Sequence, residues 1–89
     1  MAHFTIIYPD KTMYEDGVCM TDCDMTGLPE GINALQWDGS VGHIEYTDVL
    51  KANLIISSES EIESALGVSL TTLKTRYAKK KSEWEAANG

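Results

Sequence analysis

Eighty-nine residues suffice for one domain with a modest core, and 43% hydrophobic with 24% charged residues is the balance of a folded chain and not of a disordered polyelectrolyte. Fourteen acids against seven bases, a net charge of −7, argue against nucleic acid or an anionic membrane as a partner. The longest run without charge is far too short to span a bilayer, and the N-terminus lacks the basic start and apolar core of a secretory signal, so the expectation is a soluble, cytoplasmic chain.

His3 to Tyr8, HFTIIY, has the composition of a strand, and Pro9-Asp10-Lys11 is a turn sequence, because proline pre-sets the first turn dihedral and aspartate bonds the backbone beyond it. A second strand is expected from Thr12. Asp16-Gly17 then permits positive backbone dihedrals, and Val18 to Met20 continues as a third short strand. Thr21 to Gly31 is dense in turn formers and acids and reads as a connection across a face or edge of the sheet, with room for one helical turn at Leu28-Pro29-Glu30.

Ile32 to Tyr46, INALQWDGSVGHIEY, is the clearest local signal, two strands joined by a turn that starts at Asp38-Gly39. Strict alternation puts Ile32, Ala34, Gln36 and Asp38 on one side and Leu35 and Trp37 on the other, with Ile44 and Tyr46 resuming the pattern after the glycines. Asp48 to Ile56 follows as an irregular segment or brief strand that ends the sheet.

Ser57 and Ser58 supply hydroxyl caps, Glu59 and Glu61 sit in the turn that the helix dipole favours for acids, and Gly67 stops this short helix. Ser69 caps a longer one, expected to run to Ala87. Leu70, Leu73, Tyr77 and Trp84 recur along it at spacings of three, four and seven, while Lys80 and Lys81 interrupt the apolar face, so the last two turns are expected to project from the body. The expectation is a single domain over residues 1–89 of the α+β class. Residues 1–56 form a small antiparallel sheet of about four or five short strands, an acidic β-rich body. Residues 57–89 form a helical C-terminal segment, a short helix followed by a longer one.

Chemistry is sparse. Cys19 and Cys23 with His3 and His43 are the residue types of a zinc site, yet the gap between the cysteines is not the usual knuckle and the histidines form no close pair, so no metal and no cofactor is expected and free thiols are the default. His43, Glu45 and nearby Asp38 have the groups for proton transfer, but His43 and Glu45 on one side of a strand also describe a solvated sheet face, and no nucleophile stands in a recognisable elbow. No catalytic residue is assigned and the chain is read as a non-enzyme. Trp37 reads as a core anchor.

Charge is polarised along the chain. Residues 1–73 carry two bases against twelve acids, net −10, and residues 74–89 carry five bases against two acids, net +3. Such a chain suits head-to-tail contact between copies or two faces for two partners. The Lys79-Lys80-Lys81 run reads as a solvated helix face. Asp16, Asp22, Asp24 and Glu30 suggest a second reading, an acidic surface that imitates a phosphate backbone and inhibits a host defence or DNA-binding protein.

At Tyr8 to Asp10, Asp24 to Pro29, Ala34 to Trp37 and Gly42 to Glu45, the sequence resembles small proteins of tailed bacteriophages and prophages, often encoded near tail-fibre and tail-fibre assembly genes. In that group a Tyr-Pro-Asp turn, an Asp-Met-(Ser/Thr)-Gly-(Ile/Leu)-Pro segment, an Ala-Leu-Gln-Trp strand and a Gly-x-Ile-Glu strand recur in this order. The resemblance implies a structural or assembly role, as chaperone or adaptor for a tail or tail-fibre protein in the host cytoplasm or in the virion. It carries over no catalytic residues, and it stops before residue 57. The partner-binding residues expected on this reading are Leu70, Leu73, Tyr77 and Trp84, with association between copies as an additional expectation.

Overall fold

The structure, a computed structural model, describes residues 3–88. Six strands, β1 (Phe4–Ile7), β2 (Thr12–Glu15), β3 (Val18–Met20), β4 (Ile32–Trp37), β5 (Gly42–Tyr46) and β6 (Leu54–Ile56), precede α1 (Glu59–Leu66) and α2 (Leu70–Asn88). The class is α+β, as the sequence predicts. The sheet has one strand more than the expected four or five, because Leu54–Ile56 pairs with β5.

Strand order is β3-β2-β1-β4-β5-β6, antiparallel throughout, so that two meanders meet at the central β1-β4 pair. Each hairpin is set by local turn chemistry. At Asp16-Gly17 both residues have positive φ, 51° and 85°, as a two-residue hairpin turn between right-twisted strands requires. At the β4-β5 turn the Asp38 carboxylate accepts the backbone N–H groups of Ser40 and Val41, both at 2.8 Å. Gly42 then pairs with Trp37, and a Cβ there would lie 1.9 Å from the Gln36 carbonyl oxygen, so no side chain fits at this position.

Both helices are capped as predicted. Ser58 Oγ accepts the Glu61 N–H while the Glu61 carboxylate accepts the Ser57 N–H, Gly67 closes α1 at φ 73°, and Ser69 Oγ accepts the Thr72 N–H. α2 runs one residue beyond the expected Ala87.

Core side chains come from one face of the sheet, from α1 and α2, and from the segment between β3 and β4. That segment contains no helical turn at Leu28-Pro29-Glu30. It turns instead at Gly27 and Gly31, both with positive φ, and buries Cys23, Met25 and Leu28 as it passes from the sheet edge back to the centre. The strict alternation expected of β4 also fails at one point. A bulge between Ile32 and Ala34 pairs Ile32 with Tyr46 and Ala34 with Glu45, which turns Ile32 to the helix side with Leu35 and Trp37. Apolar Ile32 is thereby buried, and the Asn33 carbonyl left at the bulge accepts the Tyr8 N–H at 2.9 Å.

Candidate functional site

Register places every residue of the sheet on one of two faces. On the helix side the rows are Val18, Glu15, Phe4, Trp37, Gly42, Ile56 and Met20, Met13, Ile6, Leu35, Ile44, Leu54. On the other side one row crosses all six strands: Cys19, Tyr14, Thr5, Gln36, His43, Ile55. This second face carries no helix.

Its centre is polar and internally bonded. Thr5 Oγ1 donates to Gln36 Oε1 at 2.9 Å, and His43 Nε2 lies 3.0 Å from Glu45 Oε2. His43 and Glu45 share one side, as the sequence predicts, and with Asp38 they border a shallow depression of about 480 Å³ that also takes in His3, Val41 and Ile55. Asp38 is held below the usual aspartate range by the N–H groups of Val41 and Ser40. Among the described residues, none of those bordering this depression is a serine, threonine or cysteine. At the β3 side of the face, hydrogen bonding with Cys19 raises the Tyr14 phenol above its ordinary value.

The two thiols lie in different surroundings. Cys19 is exposed on the open face, whereas Cys23 is buried, donates to the Met20 carbonyl at 3.2 Å, and has its pKa raised by that burial. Among the described residues, no three or more His, Cys, Asp or Glu side chains are grouped to hold a metal ion.

The expected partner stripe on α2 divides in two. Leu70, Leu73 and Tyr77 are buried in the core of their own chain, which removes them from any docking surface, and only Trp84 stands out, 55% exposed. Helical periodicity alone does not distinguish a stripe that packs inward from one that meets a partner. Tyr77 is fixed in the core by its hydroxyl, which donates to the Val18 carbonyl, and by edge-to-face contact with Phe4 at 6.1 Å between ring centroids. Beyond Lys81, residues 82–88 are all exposed.

The basic middle of α2 is turned toward the acidic connection. Arg76 Nε lies 3.7 Å from Asp24 and Lys80 Nζ 3.8 Å from Asp22, while Arg76 Nη1 donates to the Asp24 carbonyl at 3.3 Å. Asp24 is held below its ordinary pKa first by the Thr26 hydroxyl and then by the Thr26 N–H, with Arg76 adding to the effect. Two of the four acids considered for phosphate mimicry are therefore balanced by cations of the same chain.

Sequence reasoning missed the apolar surface beside β6. Val49 and Leu50 are 94% and 92% exposed at the tip of the β5-β6 connection, and Ile55 is 64% exposed on the last strand. The missing signal was present in the absence of charge and proline from Ala52 to Ser58, which is unusual for an edge strand. Among the described residues no helix is long and apolar enough to cross a membrane. Comparison with protein families, with curated proteins and with solved structures finds no match to this chain.

Proposed function

We propose that this chain is a phage-encoded structural or tail-fibre assembly protein, an adaptor or chaperone that acts in the host cytoplasm by binding another protein. The observation that carries the reading is Trp84, a large aromatic side chain 55% exposed on a fully solvated stretch of helix. Tryptophan supplies much apolar area at small entropic cost and is enriched among residues that dominate binding energy. Nothing in its own fold needs it there. The resemblance of Tyr8 to Asp10, Asp24 to Pro29, Ala34 to Trp37 and Gly42 to Glu45 to small phage proteins supplies the setting, a tail or tail-fibre protein as partner.

On this reading the sheet and the capped helices form a rigid base, and the end of α2 is the contact element. The test is co-expression with the fibre gene encoded beside it. Fibre is expected to be recovered folded and trimeric only when this chain is present, and to be lost with Trp84→Ala. Fibre that folds and trimerises equally well alone would remove the chaperone reading.

A further inference from the structure

The two edges of the sheet are treated differently. Along β3 the Val18 carbonyl is bonded to Tyr77, and Asp22 just beyond the strand pairs with Lys80, so α2 covers that edge. α1 packs against β6, but among the described residues no helix side chain bonds a β6 backbone group. β6 has β5 on one side only, and the segment Ala52-Asn53-Leu54-Ile55-Ile56-Ser57-Ser58 holds no charged residue and no proline. An uncharged, β-branched edge of this kind is a template for another strand, and proteins that remain dispersed leave such an edge protected or occupied.

The geometry points to a second copy of this chain as the occupant, pairing β6 with β6 antiparallel about a two-fold axis at Ile55. Three features fit a copy and not an arbitrary strand. Ile55 is its own partner in this register, with Leu54 opposite Ile56 of the other copy, so the apolar strand is self-complementary. Lys51, in the turn before the strand, and Glu59, at the start of α1, flank Ile55 four residues to either side, so the two-fold sets Lys51 of each copy at the end of the strand where the other copy has Glu59. Finally, Val49, Leu50, Leu54 and Ile55 are the exposed aliphatic side chains of this region. Pairing the strands covers part of this surface on both copies and occupies the free edge of each.

The pairing joins the two sheets edge to edge and leaves both α2 ends free, so it presents Trp84 twice. Lys51 Nζ sits 4.0 Å from the centre of the Tyr46 ring at the surface beside this edge.

Sedimentation of the full chain over a range of concentrations tests this. A monomer-dimer equilibrium is expected for the unchanged protein. Ile55→Lys, at an exposed position that leaves the core intact, is expected to abolish the dimer while circular dichroism stays unchanged. Lys51→Glu and Glu59→Lys are each expected to weaken the dimer about two- to fivefold, as exposed ion pairs do, and the double swap to restore it. A chain that is monomeric at all concentrations overturns the proposal, as does a dimer that survives Ile55→Lys or one whose swapped double variant is as weak as either single variant.

Discussion

The Tyr77 hydroxyl donates a hydrogen bond of 2.8 Å to the Val18 carbonyl oxygen, joining the middle of α2 to the edge strand β3 across 59 positions of sequence. It satisfies an edge carbonyl that would otherwise be left for a foreign strand, and it brings the basic turn of α2 over Asp22 and Asp24. Tyr77→Phe keeps the ring against Phe4 and removes only this bond. A loss of about 1 kcal/mol in urea unfolding is expected, with faster amide exchange along Val18 to Met20.

Leu73 and Trp84 belong to the same expected stripe and should respond oppositely. Leu73 is fully buried. Leu73→Ala should cost about 2–5 kcal/mol. Trp84→Ala should leave stability within about 0.5 kcal/mol of the unchanged chain and weaken only partner binding. Thermal melts beside co-purification of the fibre protein separate the two effects.

Asp38 should make the β4-β5 turn sensitive to acid. Its carboxylate is stabilised by the N–H groups of Val41 and Ser40, so its folded pKa lies below that of an unfolded aspartate, about 3.9. The contribution is therefore present in full above the unfolded value, shrinks as pH falls through it, and is gone below the depressed folded value. Asp38→Ala is expected to lower Tm at pH 7 by a margin that closes on acidification. A margin independent of pH would show that the ionised carboxylate is not what holds the turn.

The two thiols should be kinetically distinct. Cys19 is exposed, and Cys23 is buried with a raised pKa. An alkylating reagent at pH 8 should modify Cys19 in the native protein and Cys23 only on unfolding. Mass spectrometry of the partly labelled chain reads this directly.

Gly42 should tolerate no side chain. A Cβ there meets the backbone of Gln36 and Trp37. Backbone cannot move aside as a flexible side-chain tip does, so Gly42→Ala should cost at least about 1–3 kcal/mol, measured by urea unfolding.

Much of the architecture can be read locally, because its causes are local. Asp16-Gly17 and Asp38-Gly39 mark their hairpins through dihedrals and an aspartate that bonds the turn, and Ser58, Gly67 and Ser69 mark the helix ends by satisfying backbone groups within four residues. The same local rules misplaced Ile32, because a bulge reverses the side of every residue beyond it and arises from pairing with β1 and β5. They also allowed a helical turn at Leu28-Pro29-Glu30, where the chain instead turns at Gly27 and Gly31 and buries Leu28.

Composition and periodicity were enough for an acidic α+β domain with paired short strands and two capped helices. Which apolar residues remain at the surface was decided by tertiary packing, since a stripe at helical spacing looks the same whether it meets its own sheet or another molecule. Leu70, Leu73 and Tyr77 met the sheet, Trp84 lay beyond its end, and β6, expected as a brief strand, kept a free edge while α2 lies along β3.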